Sequence, residues 1–237
     1  WCRFQLGDGV SYGVVEDRWV KAVEGSPFGS YRESGERHLL ADVTLLIPCA
    51  PPTFYAAGVN YPAHVAWAAQ RLGLPAEPPR KADIGYRANN ALLPSEGTVV
   101  VPRDSDGEVH YEGELVVVIG RQAKHLTPEN ALECVLGYSI GNDITERGWQ
   151  SEDRTLWRAK NTDSFKPMGP WTTTGLDPMG LEVITRVNGE EVSRYETKNM
   201  IFTVVDYLVE VTKYLTLFPG DVMWMGCDGA TGPIISG

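Results

Sequence analysis

The segment Glu112-Gly-Glu-Leu-Val-Val-Val-Ile-Gly120 constrains this chain more than any other. Its apolar run, Leu115 to Ile119, is rich in β-branched residues and reads as a strand covered on both faces. Such a strand needs a packing layer above and below it, which places it inside a sheet. Tyr111 to Gly120 is therefore expected to form one strand. Glu112 and Glu114 stand two apart at its start, and alternation makes both carboxylates point the same way. Side by side at the mouth of an apolar strand they repel, and lost hydration further disfavours their charged forms. A bound cation relieves both costs. An all-oxygen ligand set suits Mg²⁺, Mn²⁺ or Ca²⁺ rather than Zn²⁺. The competing reading is a solvated strand face, because E-x-E is a common pattern. His110 shares that face as a ligand, a supporting partner or an exposed side chain.

Around this strand the pattern is strand-dominated, mixed α/β. Residues 1 to about 47 read as short strands, among them Val10 to Val15 and Trp19 to Val23, separated by Gly and Asp turns. Ile47-Pro-Cys-Ala-Pro-Pro52 reads as a linker, since prolines stiffen the chain and remove donors. The expected organisation is a small N-terminal β lobe, 1–50, and a main domain, 51–237. Phe54 to Val59 is an apolar strand. Pro62 opens a helix carrying His64, Trp67 and Leu72, ended by Gly73 and Pro75. Val99 to Pro102 reads as a strand. Thr127-Pro-Glu-Asn opens a helix closed by Gly137. Tyr138 to Asp143 is a strand, with a helix following from Thr145. Asn188-Gly189, within Val183 to Val192, signals a two-residue hairpin. Val205, Leu208, Val209, Thr212 and Leu215 recur at helical spacing. Pro219-Gly-Asp221 turns into a strand, Val222 to Met225.

Composition narrows the function. The chain has 237 residues, 43% of them hydrophobic, enough for one substantial core. A net charge of −10 argues against a nucleic-acid surface, which needs clustered Lys and Arg. Cys2, Cys49, Cys134 and Cys227 form no C-x-x-C pair and read as reduced thiols of a cytoplasmic protein. No apolar run reaches membrane-spanning length and no signal peptide is visible. No phosphate-binding glycine loop, dinucleotide fingerprint or G-x-S-x-G elbow is present.

A third carboxylate, Asp143, ends Gly137-Tyr-Ser-Ile-Gly-Asn-Asp143, as a functional group at a strand terminus or as the cap of the next helix. Arg147 and Gln150 lie four and seven positions beyond it, where all three could share one helix face. Asp104-Ser-Asp-Gly-Glu108 resembles a calcium-loop opening, but its twelfth position is Leu115, where a bidentate Glu is required, so it reads as a turn.

Further motifs carry a resemblance. Tyr111 to Gly120, Gly141-Asn-Asp-Ile-Thr145, Arg158-Ala-Lys160 and Asp163-Ser-Phe-Lys-Pro-Met-Gly-Pro-Trp171 resemble the fumarylacetoacetate hydrolase family. Val187-Asn-Gly-Glu190, Asn199-Met-Ile-Phe202 and Pro219-Gly-Asp-Val222 continue the match in order, and Gly58-Val-Asn-Tyr61 with His64 is similar to its opening motif. The resemblance implies a β-roll with a small N-terminal β domain and a homodimer. It implies Mg²⁺ or Mn²⁺, with Ca²⁺ possible, held by Glu112, Glu114 and Asp143. It implies an active-site lysine at Lys160 and substrate contacts at Arg147 and Gln150. The activity implied is cleavage or rearrangement of C–C bonds in small oxo-acids. A 2,4-dioxo acid would chelate the cation, Lys160 and Arg147 would offset its growing charge, and His64 would activate water.

Three departures matter. Trp67 stands where hydrolytic relatives carry a Glu that pairs with the histidine, leaving nothing to fix the tautomer of His64. Arg87, in Ile84-Gly-Tyr-Arg87, replaces a lysine. Gly226-Cys-Asp-Gly229 replaces a Gly-Thr segment, so Thr231 is the substitute substrate contact. The chain begins at Trp1 and stops at Gly237 where relatives continue, so further residues are expected beyond both ends. The first expectation is a metal-dependent hydrolase of the acylpyruvate or fumarylpyruvate type. The second is an isomerase, decarboxylase or other enol-processing enzyme, motivated by Trp67. The third is an oxo-acid-binding relative without catalysis.

Overall fold

The computed structural model describes residues 1–73 and 75–234. Leu74 and Ile235 to Gly237, the last three assigned by sequence to the main domain, lie outside the described residues.

The N-terminal segment forms a five-stranded sheet in the order β4-β3-β2-β1-β5: β1 (Cys2–Leu6), β2 (Gly9–Glu16), β3 (Trp19–Gly25), β4 (Tyr31–Leu39) and β5 (Thr44–Leu45). Cys2, Phe4, Val20 and Ala22 fill its small core, against which Trp171 of the main sheet region packs.

Next come β6 (Phe54–Ala57), α1 (Pro62–Leu72), β7 (Ile84–Tyr86), β8 (Leu92–Pro94), β9 (Val109–His110), β10 (Gly113–Ile119), β11 (Val135–Asn142) and β12 (Thr145–Glu146). They are followed by α2 (Arg147–Glu152), α3 (Trp157–Asn161), β13 (Lys166–Met168), β14 (Glu182–Val187), β15 (Glu190–Glu196), α4 (Val204–Thr212) and β16 (Val222–Trp224). Seven of these strands form one mixed sheet, ordered β7-β6-β16-β10-β11-β13-β8. The pairs β6–β16 and β8–β13 are parallel and the others antiparallel. The fold is thus strand-dominated, mixed α/β. Among the described residues no helix is long and apolar enough to cross a membrane.

The apolar run sits at the sheet's centre, as its sequence requires. Leu115, Val117 and Ile119 face a core with Tyr55, Met223 and the buried side of α4, while Val116 and Val118 face Phe54, Met168 and Trp224. Each fully buried aliphatic side chain contributes about 1.5–3 kcal/mol. The core thereby fixes the register that carries the two glutamates. In that register Glu114 pairs with Gly141. A Cβ on Gly141 would lie 2.6 Å from the Trp224 ring. Gly141→Ala is expected to destabilise the fold by about 1–3 kcal/mol through overpacking, measurable by urea unfolding.

Several local expectations match. Pro62 opens α1 and Gly73 closes it in the left-handed region. Asn188 and Gly189 both have positive φ and join β14 to β15. Thr203 and Asp206 form a reciprocal cap on α4. Others differ. The helix expected from Thr127 to Gly137 is only a 3₁₀ turn, Ala131–Cys134. Asn130 turns back to accept from the Thr127 amide, and Val135 already pairs with Ile119 in the sheet. The strand expected at Val99 to Pro102 does not form: Val100 and Val101 are exposed, and Ser164 Oγ accepts from the Val100 amide. The strand expected from Tyr111 begins at Gly113, so Glu112 stands just before it.

Candidate metal centre and active site

The chain brings its carboxylates together at one end of the β10–β11 strand pair. Gly113 pairs with Asn142, which puts Glu112 and Asp143 side by side at the same end of the sheet. The Asp143 amide donates to the Glu112 carbonyl at 2.8 Å, and the Asn142 side chain accepts from the Glu112 amide at 2.9 Å. One oxygen each from Glu112, Glu114 and Asp143 falls within 4.8 Å of the others, and all three residues are buried. Asp143 does not cap α2. Glu146 does, accepting from the Trp149 amide.

Four cations face these carboxylates. Lys160 Nζ bridges Glu112 Oε2 at 2.6 Å and Asp143 Oδ2 at 2.7 Å. Arg147 Nη2 donates to Glu112 Oε1 at 2.5 Å, and Arg87 Nη2 to Asp143 Oδ2 at 3.1 Å. Lys166 Nζ lies 2.7 Å from Asp143 Oδ1. The same ammonium also donates to the Ile144 carbonyl at 2.8 Å and the Phe165 carbonyl at 3.0 Å. Among the described residues that ammonium is the one cation close to Asp143 Oδ1.

Burial alone would raise every one of these acids. Lys160 and Arg147 outweigh it at Glu112, holding that carboxyl down to about 2. Arg87, Lys160 and Lys166 do the same for Asp143. Among the described residues no basic side chain pairs with Glu114. Its Oε2 accepts only from the Gly226 amide, at 2.9 Å. Burial and then the charges of Asp143 and Glu112 push it up to about 8. A buried carboxylate that no basic side chain pairs among the described residues, in an all-oxygen set whose three acids reach one another, fits a divalent ion such as Mg²⁺, Mn²⁺ or Ca²⁺.

A cavity of about 150 Å³ opens over this cluster. Of the residues singled out in the sequence, His64, Arg87, Glu112, Glu114, Asp143, Gln150 and Lys160 line it. Arg147 and Thr231, expected at the substrate, do not. Arg147 is buried behind Glu112, also donating to Gln150 Oε1 at 2.8 Å and to Thr231 Oγ1 at 3.1 Å. Thr231 is committed to the Tyr111 carbonyl, and His110 Nδ1 lies 3.2 Å from its hydroxyl, away from the cavity lining. A separate, more open groove of about 250 Å³, lined by Ile140, Met168 and Arg186, holds no carboxylate.

His64 is oriented after all. Its Nδ1 lies 3.1 Å from the Cys227 carbonyl, to which it donates, so the neutral ring carries its lone pair on Nε2. Burial lowers its pKa, keeping it neutral. The close approach needs Gly229: at φ +85° it has no Cβ, which would stand 2.8 Å from the His64 Cα. Trp67 meets the His64 ring edge-on, with centroids 5.5 Å apart, and its face takes the Arg147 guanidinium at 4.9 Å. The groups that sequence reasoning passed over are Asn142 and the Cys227 carbonyl. Lys166 had one visible signal, a lysine between Phe165 and Pro167 in an otherwise apolar stretch.

Comparison with known proteins gives the family. The family "Fumarylacetoacetate (FAA) hydrolase C-terminal" matches residues 53–234, and "Rv2993c-like, N-terminal" matches 1–48. Protein Rv2993c of Mycobacterium tuberculosis is 33% identical over 245 residues, covering 99% of this chain and 90% of that protein. The human mitochondrial oxaloacetate tautomerase FAHD2A is 33% identical over 198 residues, covering 81% of this chain and 61% of its own. The crystal structure of 5-carboxymethyl-2-hydroxymuconate delta-isomerase from Mycobacterium smegmatis superposes with a TM-score of 0.88 at 35% identity, covering 98% of this chain and 90% of that one. On these matches the chain belongs to the fumarylacetoacetate hydrolase family.

Proposed function

We propose that this chain is a divalent-cation-dependent enzyme that moves a proton next to the carbonyl of a small 2-oxo acid, as a keto–enol tautomerase or double-bond isomerase. The observation that carries this reading is the pairing of His64 with a neutral carbonyl rather than a carboxylate, at the edge of a cavity floored by three acids.

A cation held by Glu112, Glu114 and Asp143 would supply Lewis acidity toward the substrate's carboxylate and 2-oxo oxygens. Arg87 lines the cavity and can meet a second acidic group of the substrate. Gln150 spends its Oε1 on Arg147, leaving its amide NH₂ to donate into the cavity. His64 Nε2 takes the proton from the carbon beside the carbonyl as the C–H electron pair moves into the new C=C bond. The same nitrogen returns the proton to oxygen, or to a carbon further along. Neutral His64 suits this transfer, since it need hold the proton only briefly. The names of the tautomerase and isomerase relatives support the same class.

The second reading is C–C hydrolysis of a 2,4-dioxo acid. The free Nε2 supports it, because that atom could also activate water. The Nδ1 partner is a neutral carbonyl rather than a carboxylate, which counts against it, since sustained water attack calls for a carboxylate beside the imidazolium. Oxaloacetate tautomerisation and acylpyruvate cleavage, assayed with Mg²⁺ or Mn²⁺, separate the two. Tautomerisation without pyruvate release is expected, and His64→Ala should lower it by roughly 10²–10⁴-fold. Acylpyruvate cleavage that outpaces proton transfer would reverse the order of the readings.

A further inference from the structure

Lys166 has no part in that proton transfer, yet it is a wholly buried cation beside a metal-site carboxylate. It places charge against Asp143 Oδ1 while its hydrogen bonds go to the Ile144 carbonyl at 2.8 Å and the Phe165 carbonyl at 3.0 Å. Asp143 thus meets positive charge on both oxygens, from Lys166 on one side and from Lys160 and Arg87 on the other. Glu112 is likewise held by Arg147 and Lys160. Among the described residues, four cations against three carboxylates leave the cluster under the pocket positive before any metal ion arrives. A divalent cation entering alone works against that field. An oxo-acid dianion entering with it removes the excess.

We propose that Lys166 sets the affinity of this site, so that the divalent cation and the anionic substrate bind as a pair, each weakly without the other. The inference rests on the metal reading given above. Its chemistry is that of a fixed internal counter-ion: Lys166, 2.7 Å from Asp143 Oδ1, offsets the carboxylate's charge and so weakens its pull on the metal.

Calorimetric titration with Mn²⁺, with and without oxalate as a stand-in for the oxo-acid dianion, tests it. Oxalate is expected to tighten Mn²⁺ binding by about tenfold or more in the unmodified protein, and Mn²⁺ to tighten oxalate by the same factor. Lys166→Met keeps the side-chain bulk and removes the charge. It should bind Mn²⁺ alone about tenfold more tightly, with a correspondingly smaller oxalate effect, while Lys166→Arg keeps the coupling. A purely structural lysine would change unfolding temperature in both variants and leave the coupling intact. Independent binding of Mn²⁺ and oxalate in the unmodified protein overturns the inference whatever the variants do. So does unchanged Mn²⁺ affinity in folded Lys166→Met or, where that variant fails to fold, Lys166→Gln. Loss of Mn²⁺ binding in Glu114→Gln, with no oxalate coupling in the unmodified protein, would refute this inference alone. Equal Mn²⁺ binding in Glu114→Gln would refute the metal site beneath it.

Discussion

Glu114→Gln is expected to lower turnover roughly a thousandfold or more, because a catalytic cation supplies several kcal/mol of charge stabilisation and each 1.4 kcal/mol is about tenfold. Glu114 is the carboxylate of the three that faces no basic side chain, so the chain itself does not compensate it. Its pKa stands at about 8 against an ordinary 4.5, raised by burial and by Asp143 and Glu112. A carboxyl with a raised folded-state pKa contributes stability that is fully present below the unfolded value and lost as pH climbs toward the folded one. The metal-free protein should therefore lose stability between about pH 4.5 and about pH 8. Glu114→Gln carries no ionisable group there and should escape that loss. Thermal unfolding in chelator across this window reads the difference. Added cation should displace the Glu114 proton and stabilise the unmodified protein more as pH rises. Parallel pH curves for the two metal-free proteins would mean that Glu114 is compensated in some other way.

Lys160 gives the second large effect. Its ammonium joins Glu112 and Asp143, and removing one member of a buried charge cluster costs about 3–5 kcal/mol. Lys160→Met is expected to show a loss of that size in chelator, measured by urea unfolding. A divalent cation can take over the two freed oxygens, so saturating Mn²⁺ should recover much of the stability. Activity should stay low, because the remaining side chains no longer fix the carboxylates' geometry. A stability loss that is the same with and without Mn²⁺ would place Lys160 outside the metal cluster.

The sequence spoke most clearly where periodicity and turn chemistry act locally. The both-faces-apolar run Leu115 to Ile119 could only be an interior strand, and Asn188-Gly189 could only turn tightly. Its silence has equally local reasons. Thr127 and Pro128 supply a good helix start, but the pull of Val135 into the sheet against Ile119 ends the helix after one turn. Val99 to Pro102 has strand composition and no strand to pair with. In the site, residue type and spacing brought Glu112, Glu114 and Asp143 to notice. Their counter-charges come from four separate segments, and no spacing rule connects Arg87 or Lys166 to Asp143. The partner of His64 is a backbone carbonyl, which leaves no trace in residue identity. Trp67, read as the loss of a partner, instead packs between His64 and Arg147.

The most direct test of the account is a crystal soaked in Mn²⁺ with data collected for anomalous scattering. One peak is expected at ligand distances of about 2.0–2.6 Å from one oxygen each of Glu112, Glu114 and Asp143, with Lys160 drawn away from the oxygens it now bridges. A peak elsewhere, or none with Lys160 still joining Glu112 to Asp143, would contradict it.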